Sequence, residues 1–448
     1  MHYLSRRHPD IQTADSSSIV SNNPLSHDPV TGIFLLESKM QLLTVHELKM
    51  KKWDLATGEM AKLIRLMPSQ LNQSHTISCC SVSDTKKLLL VGTSRGLVAA
   101  ISIYSGGLVL KCDVWHDHRV VFVGIYRKMI LSLDSRGAIQ KYAGFKNSFY
   151  GAHHVSNDIL SRSKLVHLPT VKLRNTISQC TIARVHAKHG ILVVATDTGL
   201  LRFFCLTNDK VILSSNALED EVMALLLKEE ECQMYTADKS GNICCWELPE
   251  QYPARKMFFA TCLWRVQNMD AQNQPLSTFC MQTIGNFVIT GDAKGLIKVW
   301  EVIVREVPEE EQRRGTVVGQ MRLFRLTDIG TFEDYQCKLF LTFPVSNDWL
   351  GHLMLITMKD LNRARRPIGL SDDEDESSDE SDDDNVICLI SASLDGQLSA
   401  WKLTGTCLGD LTVNSRRSRK QWNVRVNVEA MEKTRLKHAA KLFSKFEL

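Results

Sequence analysis

Few residues of this chain are of a type and spacing that could do chemistry, and they are scattered. His116-Asp117-His118 sets two imidazoles around a carboxylate, a metal-binding composition, and His153–His154 and His186/His189 are the other histidine pairs. On a strand, residues two apart share a face, so Asp117 points away from both rings, and no further ligand cluster lies nearby in sequence. The expected role is a polar loop between sheets, with His118 in a structural hydrogen bond. Thirteen cysteines include the adjacent pairs Cys79–Cys80 and Cys244–Cys245 but no CxxC, so reduced thiols in a cytosolic type of compartment are expected. There is no G-x-x-x-x-G-K-[ST] phosphate loop, no G-x-S-x-G, no H-E-x-x-H and no G-x-G-x-x-G opening a helix. No catalytic residue, metal ligand, cofactor or small-molecule substrate is therefore expected.

The elements that must carry these residues show themselves as a repeat. Six segments share a phrase in which small or acidic residues precede a turn, a glycine and a short alternating run: Gly92–Ile101, Ser132–Tyr142, Ala195–Phe204, Thr236–Trp246, Thr290–Trp300 and Ser391–Trp401. In each, the glycine stands five positions before the closing apolar residue, from Gly96 and Ile101 to Gly396 and Trp401. A seventh copy ends near Trp53 but has Leu48 where glycine would stand. Asp and Gly turn the chain between antiparallel strands, because Asp bonds its own backbone and Gly tolerates positive φ. The alternation puts every second side chain on one sheet face. Strand-like runs precede the phrases, as at Lys87–Val91, Ile191–Val194 and Asn286–Ile289.

Successive phrase glycines are 41, 62, 42, 54 and 101 residues apart. The short intervals match the ~40–45 residues of a four-stranded propeller blade, and the long ones imply insertions. Thr331–Phe343, inside the longest interval, is strand-like but lacks the phrase, so seven blades are expected rather than eight.

The Trp53–Asp54 pair and the repeated D-x-x-G-x-x-x-x-W phrase resemble WD-repeat β-propellers. The expected fold is all-β, a seven-bladed propeller of that type over residues 26–414, after a flexible segment 1–25 and before a basic tail 415–448. The resemblance implies a structural network of Asp, His, Ser/Thr and Trp. In the last unit its members would be His352, Ser391 or Ser393, Asp395 and Trp401, with Asp292 and Trp300, Asp238 and Trp246, and Trp53 as counterparts elsewhere. The turn residues Asp134, Asp197, Asp238, Asp292 and Asp395 are expected at one place per blade, spread around the ring and structural. A narrower similarity links Thr290–Val302, Trp349–His352 and Trp401, Gly405, Gly409 to the final blades of the large WD-repeat proteins of ciliary and flagellar axonemes. It implies a C-terminal propeller, as a short paralogue or a partial chain.

Charge is distributed unevenly over the 448 residues. The formal net charge is +4, yet Ser371–Asp384 holds ten acids and no base, and the chain from Arg416 onward has ten Lys/Arg against three Glu. Self-repulsion and the lack of apolar residues should keep 371–385 disordered within the last blade. Ser371, Ser377 and Ser381 each have an acid three residues on, the pattern of acidophilic kinase sites. Arg416, Arg417, Arg419 and Lys420 form a basic patch that could meet acidic tails, phosphates or the chain's own acidic run. Beyond it, apolar spacings from Val428 to Phe446 predict a helix over about 427–446. No apolar run is long enough to span a membrane, and the first twenty residues lack the apolar core of a secretory signal. These features predict a non-catalytic scaffold for other proteins, tubulin or axonemal components among them, in the cytoplasm or the cilium. Nucleic acid and membranes are not expected partners. The alternative is a nuclear or nucleolar assembly factor.

Overall fold

The computed structural model of the protein describes residues 29–36, 40–55, 57–66, 76–83, 85–127, 129–143, 166–173, 178–216, 218–248, 261–304, 335–357 and 386–411. The predicted segment 1–25, the acidic run with Ser371, Ser377 and Ser381, the patch Arg416, Arg417, Arg419 and Lys420, and the predicted helix 427–446 lie outside them. Within them every regular element is a strand, and the strands form seven sheets.

Each sheet is built from consecutive antiparallel strands. Blade 1 is β1 (Gly32–Leu36), β2 (Gln41–Val45), β3 (Lys49–Asp54) and β4 (Met60–Arg65). Blade 2 is β5 (Ile77–Val82), β6 (Leu88–Thr93), β7 (Val98–Ser102) and β8 (Leu108–Lys111). Blade 3 is β9 (Val120–Tyr126), β10 (Met129–Asp134) and β11 (Ala138–Ala143), whose outer edge carries both β12 (Val166–His167) and β13 (Val171–Lys172). Blade 4 is β14 (Cys180–His186), β15 (Ile191–Thr196), β16 (Leu200–Cys205) and β17 (Lys210–Asn216). Blade 5 is β18 (Val222–Lys228), β19 (Gln233–Asp238), β20 (Asn242–Glu247) and β21 (Thr261–Gln267). Blade 6 is β22 (Thr278–Ile284), β23 (Phe287–Asp292), β24 (Leu296–Val304) and β25 (Tyr335–Pro344). Blade 7 is β26 (Leu350–Thr357), β27 (Val386–Ser393), β28 (Leu398–Trp401) and β29 (Cys407–Asp410).

The first strand of each blade neighbours the first strand of the next, and β26 returns to β1, so the seven sheets close a ring around a central channel. The strand-like run near Thr331–Phe343 is β25, the outer strand of blade 6, so the longest interval holds no further sheet among the described residues. Two β-bulges recur. The second residue of the inner strand is unpaired at Ser78, Val121, Thr181, Met223, Phe279 and Gly351. The outermost strand slips by one at the closing phrase residue in six blades, namely Trp53, Ile101, Phe204, Trp246, Trp300 and Trp401. Bulges raise local twist, which each wedge-shaped blade needs to fan around the ring.

Burial follows the same symmetry. Seven apolar clusters lie between neighbouring blades; Val193, Phe203, Leu225 and Trp246, for example, join blades 4 and 5. Blades 7 and 1 close in the same way, through Ile33, Leu35, Leu42 and Trp53 against Ile356, Cys388, Ile390 and Leu398.

The phrase glycines fix the geometry. Gly96, Gly137, Gly199, Gly241, Gly295 and Gly396 have φ of +88°, +83°, +75°, +81°, +71° and +83°, a region costly for any residue with a Cβ. At Gly96, Gly199 and Gly295 that Cβ would also collide with a backbone carbonyl oxygen, of His116, Leu218 and Ser346 respectively. The intruding backbone is the connection to the next blade, and it docks on the glycine by hydrogen bonds. The amides of His116, Leu173, Leu218, Asn268 and Val345 donate to the carbonyls of Gly96, Gly137, Gly199, Gly241 and Gly295 at 2.7–3.2 Å. In blade 1 the amide of Leu66 donates to Leu48 at 2.9 Å, so the docking survives where glycine is missing.

Gly295→Ala should therefore cost about 2–4 kcal/mol, adding left-handed strain to displacement of the Ser346 segment. Gly351→Ala is the control, since the nearest atom to its added Cβ is the Ala392 oxygen at 3.9 Å. Urea midpoints should fall for the first variant and stay put for the second.

Candidate functional site

The polar residues singled out by sequence fall into separate structural networks. The first is local to the turns. The side-chain oxygen three places before the phrase glycine accepts a hydrogen bond from the amide one place after it. Thr93 Oγ1 takes Leu97 N at 3.0 Å, Asp134 Oδ1 takes Ala138 N at 2.8 Å, and Thr196 Oγ1 takes Leu200 N at 3.1 Å. Asp238 Oδ1 takes Asn242 N at 2.8 Å and Asp292 Oδ1 takes Leu296 N at 3.0 Å. The expectation that five aspartates share one position needs correction here. Asp134, Asp238 and Asp292 are buried, whereas Asp197 and Asp395 stand one and two places along and are half-exposed. Thr196 and Ser393 hold the buried position in their blades; the Thr196 hydroxyl does the same accepting, whereas Ser393 Oγ donates to Asp395 and the Gln397 amide donates to Asp395 Oδ1 at 2.9 Å instead.

The second network ties the closing aromatic to the strand before the turn. Trp53 Nε1 donates to Thr44 Oγ1 at 2.9 Å, Trp246 to Thr236 at 2.8 Å, Trp300 to Thr290 at 2.9 Å and Trp401 to Ser391 at 3.0 Å. Tyr142 replaces tryptophan in blade 3 and donates to the Val114 carbonyl at 2.6 Å. His46, which nothing in the spacing marked, lies 3.0 Å from Thr44 Oγ1 and extends the blade 1 set.

Histidine enters at unexpected places. In blade 3 the ring is His116, not His118. Its Nε2 lies 2.7 Å from Ser132 Oγ and its Nδ1 3.3 Å from Asp134 Oδ2, while His118 is exposed. Burial works against the Asp134 carboxylate, but the His116 ring and two amides outweigh it and hold its pKa below the ordinary value. In blade 6 Asn268 stands in that position and faces a lysine. Lys298 Nζ donates to Asn268 Oδ1 and to the Met269 carbonyl, each at 2.5 Å, with Asp292 Oδ2 3.8 Å away. Burial is the largest influence on both members of this pair, raising the Asp292 pKa and lowering that of Lys298.

Blade 7 does not assemble the four-membered network expected of it. Trp401 bonds Ser391, Ser393 bonds Asp395, and His352 joins neither. His352 lies inside β26, too far along the chain to reach the turn. Its Nε2 is 3.1 Å from the Val30 carbonyl, across the seam to blade 1. A carbonyl only accepts, so Nε2 carries the proton. Comparable bonds link other inner strands: Ser78 Oγ to the Val120 carbonyl at 2.6 Å, Thr181 Oγ1 to Val222 at 2.9 Å and Cys280 Sγ to Leu350 at 3.2 Å.

Among the described residues no group of three or more His, Cys, Asp or Glu could hold a metal ion. The His186 and His189 rings lie with centres 4.6 Å apart and planes tilted by 43°, beside Glu229 at the contact of blades 4 and 5. All thirteen cysteines are free, and burial drives thiols such as Cys112, Cys180 and Cys388 up to about 12, where they are poor nucleophiles.

Burial lowers the His352 pKa to about 4, and Arg184 adds to the effect. A folded-state pKa below the ordinary 6.5 favours folding above pH 6.5, and that contribution is lost as pH falls through about 4. His352→Gln keeps a neutral donor for Val30. Melting temperatures taken from pH 7 to pH 4 should fall less steeply for this variant than for the wild type; parallel curves would remove His352 from the seam's acid sensitivity.

No known sequence family and no curated protein matches the chain. Solved structures do. The β-propeller domain of Cps50 (Swd1) from Myceliophteria thermophila superposes with a TM-score of 0.53 at 13% identity, covering 85% of this chain and 96% of that one. A chain of the mitotic checkpoint complex gives 0.53 at 11% identity, covering 88% and 97%. At these identities the likeness is one of architecture. The protein is a seven-bladed, all-β propeller.

Proposed function

We propose that the protein is a non-catalytic scaffold for protein–protein interaction that serves in the assembly or structure of the ciliary or flagellar axoneme. The scaffold reading rests on how the polar groups are used: the histidines, aspartates and hydroxyls of the blades hold turns and seams together. Apolar surface is offered at the rim, where Leu339 and Phe340 of β25 are 51% and 63% exposed. Phe340 is the extra residue of the β24–β25 bulge, which turns it out of the sheet against Phe287, with ring centres 5.6 Å apart. Exposed aromatic and aliphatic side chains on a long outer strand suit a protein partner.

The axonemal setting draws on the phrases Thr290–Val302 and Trp401–Gly409. The acidic serine run and the basic patch Arg416–Lys420 fit the same setting, as arms for tubulin or another charged axonemal component, with Ser371, Ser377 and Ser381 as phosphorylation sites that tune them. Those two runs also favour a second reading, a nuclear or nucleolar assembly factor.

Expression of the tagged full chain in ciliated cells separates the two. Axonemal localisation that survives detergent extraction is expected, with loss of retention in a Leu339→Asp/Phe340→Asp variant whose melting temperature is unchanged. Nucleolar staining in all dividing cells would discard the axonemal setting.

A further inference from the structure

The turns between the first and second strands of the blades open on one face of the ring, opposite the phrase glycines, because the first strands all run the same way. On that face three consecutive blades present cations: Lys86 and Lys87 in blade 2, Arg127 in blade 3 and Lys188 in blade 4. Arg127 and Lys188 are exposed, and Lys86 and Lys87 half-exposed. The turns of blades 3 and 4 abut: a Cβ on Gly190 would meet the Tyr126 hydroxyl at 2.3 Å, and the Arg127 guanidinium lies 5.1 Å from the centre of the same Tyr126 ring. The cations therefore form an arc along the channel mouth.

The turns themselves do not need these charges. Lys86 and Arg127 have φ of +55° and +54°, in the left-handed region that Gly190 and Gly285 supply for the turns of blades 4 and 6. That region is costly for any side chain with a Cβ, so the turn alone would favour glycine, and a cation there points to a use for the charge beyond the turn. The sign reverses at blade 5, whose turn carries Glu229, Glu230 and Glu231. Glu229 accepts from the amides of Ala187 and Lys188 at 2.8 and 3.2 Å, and Glu231 pairs with Lys228. These acids bound the arc on one side.

The blade 7 connection on the same face carries the ten acids of Ser371–Asp384. Thr357 of β26 pairs with Val386 of β27, so both ends of the connection are fixed at the mouth, and Asp384 stands two residues before Val386. Packed sheets about 10 Å apart put seven inner strands on a circle about 22 Å across. The run from 371 to 384 reaches up to about 46 Å when extended, enough to cross the mouth from blade 7 to blades 2, 3 and 4. The chain's other basic run, Arg416–Lys420, starts from the opposite face, where the Leu411 amide donates to the Leu398 carbonyl at 2.9 Å beside the phrase glycine of blade 7. We propose that the arc of Lys86, Lys87, Arg127 and Lys188 is a docking surface for the chain's own acidic run Ser371–Asp384. Opposite charge supplies the attraction, and the Arg127 fork matches two oxygens of one carboxylate. Tethering raises the local concentration of the run to about the millimolar range, ahead of a free acidic peptide. A partner that binds this face must first displace the run.

Two measurements on the full chain test this. In the first, the ten acids of the run are replaced by their amides, and a fluorescein-labelled peptide of the sequence Ser371–Asp384 is titrated at low salt and followed by anisotropy. The amide chain should bind the peptide at least tenfold more tightly than the wild type, whose own run competes. Adding Lys86→Gln, Arg127→Gln and Lys188→Gln should abolish that gain, whereas Arg95→Gln and Arg136→Gln, on the phrase-glycine face, should leave it intact. Unchanged melting temperatures check that the glutamine variants fold. The second needs no variant: a carbodiimide, which joins an amine to a carboxylate with loss of water, should couple Lys86, Lys87 or Lys188 of the wild type to an acid of 371–384, less so as salt is raised. Equal peptide affinity in the wild type and the amide chain would overturn the proposal, leaving the arc to a partner's acids. Coupling of the run to Lys420 alone would overturn it too, by pairing the run with the tail.

Discussion

The ring depends on a turn in which one backbone carbonyl, on a residue in the left-handed region, receives the amide of the segment leading to the next blade. Five blades make this contact through a glycine. It couples two things that could otherwise vary independently, the shape of the hairpin between the second and third strands and the place where the next blade begins. The side-chain oxygen three residues before the glycine then stiffens the hairpin from within, and the aromatic plug five residues after it anchors the third strand against the second. Hairpin, connection and plug are thus one mechanical unit per blade, and the channel and rim inherit their positions from it.

Most of this unit was legible in the sequence because each part tolerates few alternatives. Only glycine avoids both the φ penalty and the collision with an incoming carbonyl, and only a large apolar side chain fills the wedge between blades, so both left a visible trace. The acceptor in the turn left a weaker one. Thr93 and Thr196 occupy the place of aspartate, and nearby Asp197 drew attention away from Thr196; in blade 7 the amide goes to Asp395, two places along, while Ser393 donates. His118 and His116 share a strand face by periodicity. The choice between them is made by the bond from the His116 amide to Gly96, which draws that residue inward, and a contact between residues twenty apart is not readable from spacing. His352 looked like a network member because of its order in the chain. Its actual partner, Val30, is remote in sequence, and only closure of the ring brings them together.

The rim residues were invisible for a related reason. Phe340 is conspicuous in space because a bulge turns it outward, whereas in sequence it is one apolar residue in an apolar strand.

The seam between blades 7 and 1 has a consequence for how the molecule comes into being. Among the described residues no strand is lent from one end of the chain to complete a sheet at the other; every blade is a contiguous stretch. Each sheet can then form as soon as its own residues leave the ribosome, without waiting for a distant terminus, and dock on its predecessor in order of synthesis. The last event is the meeting of two finished apolar faces, so an unclosed chain would display those faces to its neighbours in the cell, and that interval is when it would most need a chaperone.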